Sequence, residues 1–170
     1  MKLPKPVFLL EEYGVYGFNL GSAWLLGMPY PPEARDFWTK MEAAGVDSVV
    51  CLTDDEAAYN PGPLKVLSAA GLSESSGSFT KEEGEAEALR YTDIARRMAQ
   101  AIQAGQSVAA HCKGGTGRTG TIIGATLLEM GYPLLDVLQG LEEANALRNR
   151  GDHGWPESAW QMTLLESFSS

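Results

Sequence analysis

The chain has 170 residues, of which 44% are hydrophobic and 21% charged. That is ordinary globular usage, far from a disordered composition, and enough to build a core without disulfides or metals. The 22 acidic residues against 13 basic ones give a net charge of −9, which argues against nucleic acid or an anionic membrane as partner. Two cysteines, Cys51 and Cys112, are too few for a disulfide scaffold and fit a reducing, cytoplasmic setting.

The length fits one domain spanning residues 1–170. The opening apolar run, Val7-Phe8-Leu9-Leu10, is too short for a signal peptide or a membrane span, so the chain reads as soluble. Pro29-Tyr30-Pro31-Pro32 makes a turn into a helical pattern over Glu33 to Ala44, with Phe37, Trp38 and Met41 on one side and Gly45 as its stop. Val46 to Thr53 is a mostly apolar run of buried-strand type, ended by Asp54-Asp55-Glu56.

Thr80-Lys81-Glu82-Glu83 is a capping box that opens a long helix, with Leu89, Ile94, Met98 and Ile102 turned inward and Gly105 at its end. The six carboxylates between Glu74 and Asp93 read as a solvated helix face. A second buried strand, Val108-Ala109-Ala110, leads into a Gly-rich turn. Helices follow from about Thr119 to Met130, from Pro133 to about Leu147, and from near Pro156 to Phe168. Strands alternating with helices, and a Gly-rich turn after a buried strand, predict an α/β architecture: a mainly parallel central sheet with helices on both faces.

The turn itself is His111-Cys112-Lys113-Gly114-Gly115-Thr116-Gly117-Arg118-Thr119-Gly120. Gly115-x-Gly117-x-x-Gly120 matches a dinucleotide fingerprint, but no strand ending in an acidic residue follows it. A triphosphatase phosphate loop needs Gly-Lys-Ser/Thr where this chain has Gly117-Arg118-Thr119. A third reading uses every unusual residue. Five mostly small residues between Cys112 and Arg118 force a tight wrap whose backbone N–H groups can line an anion nest. The next helix begins at the loop and adds its positive end, which favours a thiolate at Cys112. The planar fork of Arg118 can grip two phosphoryl oxygens. Nucleophile, anion cradle and clamp within seven residues point to thiolate attack on a phosphate monoester.

This segment resembles the His-Cys-x5-Arg-Thr/Ser signature of the cysteine-dependent protein tyrosine phosphatases, in particular the compact dual-specificity branch. Asn19 to Pro29 and Gly45 to Glu56 are similar to the amino-terminal half of those enzymes, and Trp155 to Gln161 resembles their carboxy-terminal segment. The resemblance implies a phosphatase-like three-layer fold and hydrolysis of phosphotyrosine, with phosphoserine or phosphothreonine as further substrates, through a cysteinyl-phosphate. It also implies that Lys113, Gly114, Gly115, Thr116, Gly117 and Arg118 hold the phosphate and that Thr119 hydrogen-bonds the Cys112 sulfur. His111 would order the loop, Gln161 would position the attacking water, and no metal or cofactor would be needed. The expected partner is a phosphorylated protein or a small phosphomonoester.

The family's acid, an aspartate about thirty residues before the cysteine, has no counterpart: Ser75 to Thr80 carries serine there. Asp54 or Asp55 at a strand end, Glu157 four residues before Gln161, or Glu82, Glu83 and Glu85 are the candidate replacements, and a chain with no acid is the remaining alternative. Such a chain would be a phosphate-binding module with little turnover. Lys113 also raises a phosphoinositide-directed phosphatase as an alternative. Cys51 reads as a buried strand residue; if its strand neighbours that of Cys112, the two sulfurs could close a protective disulfide. The four tryptophans read as core, His153 as a loop residue, and the Cys and His spacing excludes a zinc site.

Overall fold

Six strands form one sheet in the computed structural model, which describes residues 2–53, 58–69, 71–73 and 76–168. They are β1 (Val7–Leu10), β2 (Val15–Asn19), β3 (Trp24–Met28), β4 (Val46–Cys51), β5 (Lys65–Ala69) and β6 (Ser107–His111), in the spatial order β1-β2-β3-β6-β4-β5. The β3–β6, β6–β4 and β4–β5 pairings are parallel, and β1–β2 and β2–β3 are antiparallel. The mainly parallel sheet is as expected, with an antiparallel flank that the residue pattern did not predict. All five residues of β6 are buried, as required of a central strand with helices on both sides.

The helices are α1 (Phe37–Ala43), α2 (Lys81–Gln103), α3 (Gly117–Glu129), α4 (Leu134–Leu147) and α5 (Ala159–Phe168). Strand alternation sends Val108, Ala110, Val50 and Leu52 into a large core with α2 to α5, and Ala109, Val49 and Val46 into a smaller one against α1. The tryptophans belong to these cores: Trp155 is buried, and Trp24, Trp38 and Trp160 pack half-buried against them. His153 is exposed, in a short 3-10 turn.

Several boundaries move. The first helix begins at Phe37 rather than Glu33 because Phe37 N–H first closes a turn on Ala34 O, 3.2 Å away, just past the Pro31-Pro32 pair. Leu89 is 72% exposed rather than inward. The predicted capping box on α2 is present, Thr80 and Glu83 each accepting the other's backbone N–H at 3.2 Å. Of the six carboxylates read as a solvated face, Glu87 is an exception: it is buried and accepts Ser73 N–H at 2.6 Å and Arg90 Nη1–H at 3.1 Å. Glu74 lies outside the described residues.

Two glycines of α3 let other elements come close. A Cβ on Gly120 would meet the Trp155 ring and one on Gly124 would meet Leu165 and Leu141. Among the described residues no helix is long and apolar enough to cross a membrane.

Candidate active site

Cys112 follows the last residue of β6, at the carboxyl end of the central strand, where open α/β sheets bind ligands. The segment from Lys113 to Thr116 curls from there into α3. Every backbone carbonyl from Lys113 to Gly117 is taken by a protein donor. Tyr30 N–H donates to Lys113 O at 2.9 Å, Arg148 Nη2–H to Gly114 O at 2.8 Å, and Arg148 Nη1–H to Gly115 O at 2.8 Å. Tyr16 O–H adds a second bond to Gly115 O at 2.7 Å; Gly120 N–H donates to Thr116 O at 2.7 Å and Thr121 O–H to Gly117 O at 2.7 Å. The C=O and N–H of one peptide plane point in opposite directions. Anchoring these carbonyls outward therefore turns the N–H groups of Gly114 to Arg118 towards the hollow of the loop, as a nest requires.

Gly115 has φ +76°, and a Cβ there would collide with the Met28–Pro29 backbone at 2.7 Å, so this position needs glycine on both counts.

The hollow is a cavity of about 150 Å³, lined by Cys112, Lys113, Gly114, Thr116, Gly117, Arg118, Arg150, Glu157 and Gln161. Sites for drug-sized ligands run from roughly 300 to 1,000 Å³. A cavity half that size takes a phosphoryl-sized group and leaves the rest of a ligand outside.

Thr119, buried beneath the loop, donates its hydroxyl to Cys112 Sγ at 3.0 Å. Arg118 is buried, and its Nη1–H donates to Leu72 O at 3.0 Å, which holds the fork beside the cavity. Gln161 is buried and its Oε1 accepts Glu157 N–H at 2.7 Å. That bond fixes the amide orientation and leaves Nε2 on the side of Gly117, where the Glu157 carboxylate also lies.

His111 carries the same loop from behind. Its ring is fully buried and its Nδ1 lies 3.2 Å from Cys112 O. A carbonyl can only accept, so Nδ1 carries the proton and Nε2 accepts the Tyr59 hydroxyl at 2.5 Å. Burial pushes the imidazole down to about pKa 4; the Cys112 carbonyl pulls it back up, and the Arg118 charge lowers it again. Tyr16 is pushed up to about 12, chiefly by burial, against the lowering effect of the Arg148 and Arg150 charges.

The sequence candidates separate accordingly. Cys112, Lys113, Gly114, Thr116, Gly117, Arg118, Glu157 and Gln161 meet at one cavity; Thr119 does not line it but bonds the Cys112 sulfur, and Gly115 belongs to the loop with its carbonyl held by Arg148. Asp54 and Asp55 lie outside the described residues. Glu82, Glu83 and Glu85 do not line the cavity: all three are on the exposed first turns of α2, where Glu83 caps the helix and Glu85 pairs with Lys81.

Tyr16, Tyr59, Arg148 and Arg150 are the contributors that sequence reading missed. Arg148 and Arg150 carried a signal, two arginines in a loop of an acidic chain.

Cys51 pairs in register with His111, not with Cys112. Register partners point to the same face of a sheet and successive residues to opposite faces. Cys51 therefore lies on the α1 side, 3.2 Å from Thr53 Oγ1, while Cys112 belongs to the core on the other side. Neither cysteine is in a disulfide.

A family model described as a polymorphic toxin system DSP-PTPase phosphatase matches residues 27–132. No curated protein matches. Among solved structures, the chain is similar to Tk-PTP in its active form, with 24% identity over 92% of this chain and 96% of that one and a TM-score of 0.63. It is also similar to human DUSP28, with 16% identity over 88% of each chain and a TM-score of 0.63. A third similar structure is PTPMT1 in complex with PI(5)P, with 15% identity over 98% of this chain and 95% of that one and a TM-score of 0.62.

Proposed function

The chain belongs to the DSP-PTPase phosphatase family of polymorphic toxin systems, and from that premise we propose that it hydrolyses phosphate monoesters through a cysteinyl-phosphate. Phosphotyrosine is the main substrate in this reading, with phosphoserine and phosphothreonine as further ones, and residues 1–170 act as one catalytic domain. The observation that carries it is the placing of Cys112, its Sγ hydrogen-bonded by Thr119, in a phosphoryl-sized cavity lined by the loop residues and Arg118.

In the first step the Cys112 thiolate forms a bond to phosphorus as the ester P–O bond breaks, and the leaving oxygen takes a proton. The loop N–H groups and the Arg118 fork hold the equatorial oxygens as charge builds on them. Glu157 is the proposed proton donor, since among the described residues it is the carboxylate that lines the cavity. In the second step water, positioned by Gln161, loses its proton to Glu157 and attacks phosphorus. The P–S bond breaks and the thiolate returns to the Thr119 hydroxyl. The two unbridged cysteines fit a reducing cytoplasm.

The test is hydrolysis of an aryl phosphate from pH 4 to 8. Cys112→Ser should abolish turnover. Glu157→Gln should slow it by about 100-fold or more and flatten the alkaline limb of the pH profile. Turnover that survives in Cys112→Ser overturns the mechanism. An unaffected Glu157→Gln moves the acid to Asp54 or Asp55, tested by their Asn variants. A folded wild type that binds vanadate but turns nothing over is a phosphate-binding module instead.

A second reading, a phosphoinositide substrate, is favoured by Lys113 on the cavity wall and by the fold shared with PTPMT1, solved with PI(5)P. The net charge of −9 weighs against it at an anionic membrane.

A further inference from the structure

Trp155 is buried and stands two residues before Glu157, ahead of α5. An indole N–H can only donate, and a buried one needs an acceptor. Here Nε1–H donates to Thr121 Oγ1 at 2.9 Å, inside α3. The Thr121 hydroxyl gives its one proton to Gly117 O at 2.7 Å, which leaves its lone pairs for the indole. Trp155 N–H, Thr121 O–H and Gly117 C=O form a buried chain in which each bond polarises the next. The main chain of Trp155 is held from the other side. A single side chain, Asn145 of α4, accepts its N–H at 2.9 Å and donates to its carbonyl at 2.8 Å. Two glycines make room: a Cβ on Gly154 would meet Asn145 at 2.5 Å, and one on Gly120 would meet the indole at 2.7 Å. Trp155 is thus fastened to α4 by its main chain and to α3 by its ring.

Gly117 is where this chain meets the chemistry. It opens α3 beside Arg118 and lines the cavity. Its carbonyl ends the chain from Trp155, and its α-carbon faces the Glu157 carboxylate, which a Cβ there would strike. Glu157 itself is exposed, so its side chain is placed by the backbone that carries it. That backbone is fixed on one side by Glu157 N–H donating to Gln161 Oε1 at 2.7 Å, and on the other by Trp155.

We infer that Trp155 is a positioning residue for proton transfer: through Thr121 it holds the Glu157 carboxylate against the phosphate loop. This rests on Glu157 as the proton donor and says what keeps the donor in place. Loss of the indole N–H leaves the bond from Thr121 to Gly117 O, and with it the cradle, as it was. What loosens is the alignment of the donor with the leaving oxygen, and small misplacements of a catalytic group are costly in rate. The effect therefore falls on leaving-group protonation rather than on phosphate binding, and it is largest where the leaving group is most basic.

The experiment compares phenyl phosphate, a poor leaving group, with para-nitrophenyl phosphate, a good one, in wild type, Trp155→Phe, Glu157→Gln and the double variant. Trp155→Phe keeps a ring against Gly120 and removes the N–H. It should lower kcat/KM on phenyl phosphate by about 10-fold and on the nitrophenyl ester by much less, with vanadate affinity unchanged. Because the two esters are compared within each protein, a general loss of active protein cancels. In Glu157→Gln the same change should slow phenyl phosphate no further, since it acts through the missing carboxylate. Thr121→Val should reproduce the leaving-group dependence, and Thr121→Ser, which keeps the hydroxyl, should not. No loss in Trp155→Phe, equal losses on the two esters, a loss that persists in Glu157→Gln, or vanadate binding weakened in step with turnover overturns the role and leaves Glu157 as the donor. An unaffected Glu157→Gln overturns the donor and the role with it. A wild type that binds vanadate but hydrolyses neither ester overturns the phosphatase reading and the role together.

Discussion

His111 ties the acid stability of the molecule to its phosphate loop. Its folded pKa of about 4 lies below the ordinary 6.5, so the folded state resists a proton that the unfolded chain accepts. Stability is therefore complete above pH 6.5, falls as pH drops from there towards 4, and loses nothing further from this group below that. The loss is on the order of 3 kcal/mol. Urea unfolding at pH 7, 5.5 and 4 should show it, and His111→Asn should remove that part of the slope; an unchanged slope would remove His111 as its source. Arg148 makes a different test. Arg148→Met should leave the chain folded but weaken vanadate binding by about 10- to 100-fold, because the carbonyls of Gly114 and Gly115 lose the charged donors that turn them outward. Arg148→Lys should not rescue it, since one ammonium cannot reproduce the fork. Equal vanadate affinity in all three proteins would contradict that role. The cysteine and arginine of the cradle were legible because seven consecutive residues contain them. Arg148, Arg150, Tyr16 and Tyr59 reach the site from elsewhere in the chain, and only tertiary packing brings them there.

At the scale of elements, the position of α3 over the sheet depends on Gly27 in β3. A Cβ there would meet Ile123 Cδ1 and Thr119 Cγ2 at 2.8 Å and the Tyr16 ring at 2.9 Å. Two of those residues also hold the loop: Thr119 bonds the Cys112 sulfur and Tyr16 bonds Gly115 O. Gly27→Val should cost about 1–3 kcal/mol as overpacking and push Thr119 away from the sulfur, lowering kcat more than it raises KM. Steady-state kinetics beside thermal unfolding would check it, and a destabilised variant with unchanged kcat would separate α3 placement from catalysis. The glycines explain why part of the sheet escaped sequence reading. Gly17 and Gly27 interrupt β2 and β3, where close packing leaves no room for a Cβ, and in each a glycine stands where a side chain would show alternation. Buried β4 and β6 lie between layers, read as continuous apolar runs, and were found. The capping box fixed the start of α2 from four residues alone, whereas Leu89, placed inward by periodicity, faces solvent.

On the whole molecule, the sheet is a partition. One face holds Cys112, the large core and the cavity; the other holds Cys51, His111 and the aromatic group of Tyr30, Trp38 and Tyr59. Strand adjacency alone made a Cys51–Cys112 disulfide conceivable, but adjacency does not determine the face. A disulfide needs Cβ atoms about 3.5–4.5 Å apart with the two side chains directed at each other, and these two are directed to opposite sides of a hydrogen-bonded sheet. Closing the bridge would mean rotating a residue out of β4, which pairs on both its edges. Peroxide should therefore oxidise Cys112 through its cavity to a sulfenic acid that external thiol reverses, with no contribution from Cys51. Peptide mapping of the oxidised protein should find no Cys51–Cys112 pair, and Cys51→Ala should be inactivated and reactivated at the rates of wild type. A linked pair, or irreversible loss of activity confined to Cys51→Ala, would mean that the sheet opens under oxidation.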